Sequence, residues 1–317
     1  MPIHASLGVD IGSISTKGVV LDEASCVLAD HYLLTQGDPI GATRQLLGKL
    51  QSQLPSDTRI GTVGTTGSAR RLVGAMLGAT AVKNEITAHA VGTLSRHPEV
   101  RTILEIGGQD SKIILIRGGI VADYAMNTLC AAGTGAFLSA QAGRLGLTVE
   151  EMGPLALTSR SPARIAARCT VFAESDLIHK AQGGHRLEDL VAGLVSAVAE
   201  NYLANVGKGK AITPPVIFQG GVSRNQGVVA AFARELGCEI LVDPAGHLMG
   251  AIGAARLAAD GETLNAPFRF DIVAGAYQTR TEPCGTCLNR CEIVYFYRGD
   301  TCLDFWGNRC DRGGVAR

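Results

Sequence analysis

The sequence predicts an α/β protein of two similar lobes followed by a cysteine-rich tail. Three observations carry that prediction. A strand, glycine turn, strand pattern occurs twice about 95 residues apart, with Asp10-Ile11-Gly12-Ser13 and Glu105-Ile106-Gly107-Gly108 in matching places. Helical periodicity alternates with short β-branched runs after each copy. Beyond about residue 262 the texture changes: the remaining stretch holds five of the nine cysteines, the single Trp and many of the aromatics.

Taken in order, "SLGVDIGSISTKGVVLD" alternates apolar residues across a Gly-Ser turn and predicts a hairpin. "PIGATRQLLGKLQSQL" is an amphipathic helix, "RIGTVGTTGSARRLVGAML" a strand running into a helix, and "NEITAHAVGTLSRH" a further helix. "VRTILEIGGQDSKIILIRGGIVADYAMN" repeats the hairpin and adds a third strand after its "RGG". Helices follow near 133–146, 170–182 and 186–206. Then come the strand "PPVIFQGG", a helix from "VSRNQGVVAAFAREL", the short strand "CEILV" and a final helix in "HLMGAIGAARLAAD". The expected division is residues 1–99 as lobe I, with the final helix at about 247–260 returning to it, 100–246 as lobe II, and 263–317 as a separate tail.

Aromatics make up 5% of the chain and charged residues 18%, while glycine occurs 40 times. An interior of small and β-branched residues with close backbone approaches follows, which suits a nucleotide-binding α/β fold. Twenty-nine basic residues balance twenty-nine acidic ones, so no overall field attracts nucleic acid or an anionic membrane, and neither is expected as a partner. "MPIHASLGVDIGSIST" lacks a basic segment followed by an apolar one, and no run approaches 18 uninterrupted apolar residues. The expected location is the cytoplasm. Thiols stay reduced there, so nine cysteines point to metal or redox chemistry rather than disulfides.

The two turns supply phosphate-binding chemistry. Asp10, Gly12, Ser13, Ser15, Thr16 and Lys17 place a carboxylate, a glycine turn, hydroxyls and an ammonium at one hairpin. Backbone N–H groups of such a turn cradle phosphate oxygens, and Asp10 can hold Mg2+ through water, because that ion prefers oxygen ligands and keeps several waters. Gly107, Gly108, Gln109, Asp110 and Lys112 repeat the set from the other lobe, which makes a nucleoside triphosphate such as ATP the expected ligand. A third glycine turn at Gln219, Gly220 and Gly221 ends a buried strand, where close backbone approach suits a base and ribose. The pattern is neither a Walker A loop nor a GxGxxG dinucleotide turn.

Most cysteines of an Ala/Gly-rich chain are small buried hydrophobes, and Cys26 and Cys238 fit that reading. Cys130 and Cys169 each precede a predicted helix start. The positive end of a helix favours the thiolate form that binds iron, so these two are candidate metal ligands as well as candidate core residues.

Seven motifs in order, "GVDIGSISTKGVV", "VGTTGSARRL", "NEITAHAVG", "EIGGQDSK", "NTLCAAGTGAFL", "RCTVFAESDLIHKAQ" and "FQGGVSRN", span roughly residues 5–260. Across them the chain resembles the activator ATPases of 2-hydroxyacyl-CoA dehydratases and the related ATPase subunits of benzoyl-CoA reductase, within the superfamily of actin, sugar kinases and heat-shock chaperone ATPases. The resemblance implies a two-lobed ribonuclease H-like fold with ATP in its cleft. It also implies a homodimer in which the positions matching Cys130 and Cys169 hold one shared 4Fe-4S cluster. A 4Fe-4S cluster takes four cysteines, and a two-fold axis supplies the second pair. The implied role is one-electron transfer, in an anaerobic setting, from a ferredoxin or flavodoxin to an iron-sulfur acyl-CoA dehydratase or reductase, driven by ATP hydrolysis.

Glu85 occupies a place in the motif order similar to that of the cleft glutamate of chaperone ATPases, so it is expected to orient the attacking water. Asp10 and Asp110 complete the candidate catalytic set. His89, four residues after Glu85, is expected to hydrogen-bond it and order the helix. In the tail, Cys284, Cys287, Cys291, Cys302 and Cys310 match neither a two-knuckle zinc ribbon nor the bacterial ferredoxin run. They read equally as a zinc or second-cluster site and as a segment ordered by a partner. The alternative function is a small-molecule kinase of the same superfamily, acting on an amino sugar, with Asp110 as its base and Cys130 and Cys169 as core residues.

Overall fold

The computed structural model describes residues 2–127 and 130–310. The chain divides into two compact units, Met1–Gly92 with Gly250–Arg317, and Thr93–Met249.

The first unit opens with β1 (Ile3–Ile11), β2 (Ser15–Asp22) and β3 (Val27–Leu34), then α1 (Pro39–Gln51), β4 (Thr58–Thr66), α2 (Arg70–Leu77), β5 (Ala81–Val82) and the start of α3 (Glu85–Arg96). Its sheet runs β3-β2-β1-β4-β5, antiparallel at β1–β2 and β2–β3 and parallel from β1 onward to β4 and β5. Local chemistry sets the helix ends: Asp38 accepts from Gly41 N ahead of Pro39 in α1, and Gly78 closes α2 in the left-handed region.

The second unit holds the rest of α3, β6 (Thr102–Ile106), β7 (Ser111–Arg117), β8 (Ile120–Asn127), α4 (Gly135–Arg144), α5 (Val149–Leu157), α6 (Thr170–Gln182), α7 (Leu187–Asn205), β9 (Val216–Gln219), α8 (Gln226–Leu236) and β10 (Ile240–Leu241). Its sheet runs β8-β7-β6-β9-β10 with the same strand directions. The sequence repeat is therefore one visible piece of a repeated five-stranded sheet. β3, the counterpart of β8, carries a half-exposed pattern with Asp30 and His31 inside it, which hides it from a reading of apolar alternation. α5 contains Pro154, a residue that argues against a helix, but Thr148 and Glu151 form a full capping box.

α9 (Met249–Ala259) brings the chain back to the first unit, where its backbone lies directly on β1, β4 and α3. A Cβ at Gly8 would run into Ala251 O, one at Gly64 into Ala254 O, and one at Gly253 into Ala88 O, so only glycine permits this contact.

The tail folds as an antiparallel sheet, β11 (Tyr277–Pro283), β12 (Glu292–Arg298) and β13 (Thr301–Trp306). It is joined to the first unit rather than set apart. Phe296 is fully buried in that unit's core, Tyr277 stacks on it at 5.5 Å, and Leu264 N and Phe268 N donate to Gly61 O and Ile60 O. No helix among the described residues is long and apolar enough to cross a membrane.

Candidate functional site

In the first unit the β1–β2 register sets Asp10 opposite Lys17, whose Nζ donates to Asp10 Oδ2 at 3.1 Å. Gly12 N donates to Ser15 O at 2.9 Å and closes the turn, leaving Ser13 exposed at its tip and Ser15 buried. Thr16 lies 2.9 Å, oxygen to oxygen, from Thr35, which also donates to Gly12 O at 2.8 Å, so the turn is braced from β3's end. Gly67, with φ of 93°, lets β4 turn away beneath Ile11 O.

Asp10 is buried and rests on Gly250: a Cβ there would lie 2.7 Å from Asp10 Oδ2 and 3.2 Å from His89 Nε2. His89 thus lies buried in the neighbourhood of the Asp10 carboxylate, which places it by candidate chemistry and not only along its own helix. Glu85 is half-buried in the first turn of α3, one residue after Asn84, whose side chain accepts from Thr87 N.

The second unit repeats the ladder with a different setting. Glu105 lies opposite Lys112, and Lys112 Nζ reaches both Glu105 Oε2 at 3.0 Å and Asp110 Oδ2 at 2.9 Å. Gly107 N donates to Asp110 O at 3.0 Å, Gln109 is exposed, and Gly108 is half-buried. Lys112 and Glu105 are buried, so this turn is pinned from below by an ion pair. Gly220, with φ of 87°, passes under Ile106 O as Gly67 does under Ile11 O.

Gln219 is buried and accepts from Thr93 Oγ1 at 2.7 Å; Gly221 is exposed and begins a short 3-10 turn to Arg224. Asn225 then caps α8 through Val228 N. The helix therefore starts several residues beyond the glycine pair. Asp243 holds the adjoining loop. Burial pushes its carboxyl up, but Arg96, Ala245 N–H and His97 outweigh that and keep it below its ordinary value of 3.8.

Beside each turn sits a buried hydroxyl with no hydrogen-bond partner among the described residues, Thr66 Oγ1 opposite Asp10 and Ser111 Oγ opposite Ile106. Buried polar groups are ordinarily paired, so an orphan at each turn marks a place where a polar ligand or water belongs.

Cys169 is the N-cap of α6, without a side-chain capping bond, as its sequence setting suggests. Cys130 differs from expectation: it caps only the 3-10 turn Ala131–Gly133, and Thr134 is the N-cap of α4. The first N–H groups of α4 are spoken for, because Gly135 N donates to Gly107 O at 2.9 Å and Ala136 N to Gly108 O at 2.8 Å. The Gly-Thr-Gly stretch opens the helix onto the glycine turn itself. Asn127 holds Cys130 through both sides of its amide, accepting from Cys130 N at 3.0 Å and donating to Cys130 O at 2.8 Å.

Both thiols are half-buried and in no disulfide. Two soft thiol donors per chain, neither making a side-chain capping bond, fit half the ligand set of a 4Fe-4S cluster. Among the described residues no three His, Cys, Asp or Glu side chains converge as a metal site within one chain.

Three of the tail cysteines, Cys284, Cys291 and Cys302, are half-buried. Cys284 N donates to Cys291 O at 2.7 Å across the β11–β12 connection, Cys302 lies on β13, and Cys287 and Cys310 are exposed. The Thr286 hydroxyl, 3.3 Å from Cys284 Sγ, and the Thr286 N–H hold the Cys284 thiol below its usual range. Cys26, expected in the core, is exposed, because it falls in the tight connection between β2 and β3 where its N–H donates to Asp22.

Four residues here were given no role by the sequence, though Glu105 and Asn127 open two of its motifs. Glu105 lies in the aligned strand but shows its role only through the register with Lys112. Asn127, Asn201 and Tyr202 emerge from packing. Asn201 and Tyr202 are the last buried residues of the otherwise apolar face of α7, and a buried amide in such a run is the signal that could have flagged them.

The BadF/BadG/BcrA/BcrD ATPase family model matches residues 7–258. The chain is similar to the 2-hydroxyisocaproyl-CoA dehydratase activator of Clostridioides difficile, 36% identical over 266 residues that cover 80% of this chain and 95% of that one. It is 32% identical over 250 residues to the (R)-2-hydroxyglutaryl-CoA dehydratase activating ATPase of Acidaminococcus fermentans, with coverage of 79% and 95%. The solved structure of the activator of the 2-hydroxyisocaproyl-CoA dehydratase from Clostridium difficile, with bound ADPNP, superposes at a TM-score of 0.75 over 81% of this chain and 94% of that one, at 36% identity.

Proposed function

Because the chain belongs to the BadF/BadG/BcrA/BcrD ATPase family, we propose that it couples ATP hydrolysis to one-electron activation of an iron-sulfur acyl-CoA dehydratase or reductase. One observation carries the reading furthest: the N-terminus of the helix that follows Cys130 is hydrogen-bonded to the carbonyls of the Gly107-Gly108 turn. The segment that would sense phosphate and the segment that bears a thiol are one piece.

In this reading the turns at Gly12 and Gly107 bind the phosphates of ATP through their N–H groups, and Ser13, Ser15, Thr16, Gly108 and Gln109 line them. Lys17 and Lys112 set the local positive charge. Asp10 holds Mg2+ through water, Asp110 assists from the second turn, and Glu85 orients the water that attacks the γ-phosphate. Gln219, Gly220 and Gly221 face the nucleoside. Cys130 and Cys169, with the same pair from a second copy, hold one 4Fe-4S cluster across a homodimer. When bound, that cluster supplies a one-electron reservoir between a ferredoxin or flavodoxin donor and the acyl-CoA enzyme. Contacts at the turns must differ between the ATP and ADP states for coupling to occur, since equal affinity for two conformations shifts nothing.

Anaerobic purification followed by iron and sulfide analysis tests the reading. The expected result is brown protein with four iron atoms per dimer. Cys130→Ser or Cys169→Ser is expected to abolish iron and dimerisation while leaving ATP binding intact. Brown, dimeric variants with iron unchanged from the parent, or sugar-dependent ADP release by a colourless parent, would overturn it.

A further inference from the structure

We infer that α7 is the link by which the second phosphate turn acts on the Cys169 segment, with Asn201 and Tyr202 as its positioning residues; this rests on the function proposed above. The two thiol-bearing segments are attached to the turn in different ways. Cys130 is attached directly. Its peptide is clasped by Asn127, which stands opposite Ser111 at the foot of the turn, and Gly135 N and Ala136 N bond the carbonyls of Gly107 and Gly108. Among the described residues no such backbone connection joins the Cys169 segment to the turn.

What reaches the Cys169 segment instead is a pair of adjacent side chains. Tyr202 is fully buried and its hydroxyl donates to Lys112 O at 2.5 Å. Burial, with Glu105 close by, pushes that hydroxyl well above its ordinary pKa, so it stays a donor. One residue earlier, Asn201 Nδ2 donates to Ala167 O, two residues before Cys169. Asn201 Oδ1 accepts from Asn205 at 3.0 Å and lies 2.8 Å from where a Cβ of Gly133 would be, against the Cys130 segment. Asn201 therefore touches both thiol segments, and its neighbour touches the turn. A displacement of Lys112's peptide moves Tyr202, and the rigid helix carries it to Ala167.

In a run of Leu, Val and Ala the buried amide of Asn201 is satisfied by the Cys169 segment on one side and by Asn205 on the other. Cβ exclusion at Gly133 shows that the contact is close enough to fix the loop, so the amide is held from both sides.

The test compares thiol reactivity in the full-length chain, stripped of iron and kept reduced, with and without Mg2+ and a non-hydrolysable ATP analogue. Alkylation by iodoacetamide is read at Cys130 and Cys169 by peptide mass spectrometry, with exposed Cys26 as reference. In the parent the analogue is expected to change both rates, by about fivefold or more if the coupling is of ordinary size. In Tyr202→Phe, which keeps the ring and loses only the hydroxyl, and in Asn201→Leu, the response at Cys169 is expected to vanish while that at Cys130 and the analogue's affinity persist. A merely structural role would weaken both responses together, and that result overturns the inference, as does an unchanged Cys169 response in both variants; either leaves the proposed function standing. A parent in which neither thiol responds removes the inference and the coupled function with it.

Discussion

In the first unit the turn lysine, Lys17, is 16% exposed and pairs with Asp10, whereas in the second Lys112 is 2% exposed and lies between Glu105 and Asp110. The ladder positions are the same, and so is the glycine that passes beneath each turn. What differs is the use of the charges. Around Lys112 the ammonium is buried with Glu105 while Asp110 stays partly exposed. Around Lys17 the carboxylate of Asp10 is equally buried and it is the ammonium that keeps an edge to solvent. A repeated backbone can thus carry the same ladder pair with its lysine sealed in one unit and open at one edge in the other.

The largest expected effect follows from that contrast. Lys112→Met leaves Glu105 buried beside Asp110 without a counter-charge, and breaking a buried pair by removing one partner costs about 3–5 kcal/mol. Urea unfolding should show this loss, with the midpoint well below that of Lys17→Met, whose exposed edge limits the cost to about 1–2 kcal/mol. Lys17→Met should instead weaken ATP binding measured by calorimetry. Equal destabilisation by the two substitutions would erase the distinction between the turns.

A second contrast concerns pH. Asp243 is held below its ordinary value in the folded chain, so its contribution to stability is present above pH 3.8 and is lost as pH falls through the lower folded value. Unfolding midpoints of the parent should drop from pH 5 to pH 3, and Asp243→Asn should flatten part of that slope while lowering stability at pH 7. The same substitution tests whether the loop beside Gly220 needs Arg96 and His97 to stay in place.

How much of this was legible beforehand depends on whether the signal was local. The hairpins were, because Asp10 to Lys17 and Glu105 to Lys112 keep one spacing and one alternation. The sheet repeat was not, because the stretch between β8 and β9 holds α4 to α7 where that between β3 and β4 holds only α1, so no constant offset aligns Gly67 with Gly220. The tail looked separate by composition, yet composition cannot show that Phe296 enters the first unit's core and Trp306 packs against it. Cys130 and Cys169 were found by their places before helices, while the residues that hold them, Asn127 and Asn201, are ordinary amides until the fold brings the segments together.

The smallest expected effect is also the most specific. Thr66 Oγ1 and Ser111 Oγ are buried with no partner among the described residues, so each hydroxyl bears a desolvation cost that nothing in the ligand-free chain offsets. Thr66→Val keeps the shape and removes that cost; its thermal midpoint should be equal to the parent's or slightly higher. Ser111→Ala should behave likewise. Their responses to ATP should then separate. Thr66→Val is expected to lose affinity for the magnesium nucleotide, since Thr66 stands opposite Asp10, whereas Ser111→Ala is expected to keep its affinity but blunt the nucleotide response at the Cys130 thiol, since Ser111 stands opposite Asn127. Two hydroxyls equal in burial would then be told apart by ligand alone, and equal losses of affinity would instead give both hydroxyls the same part in holding the nucleotide.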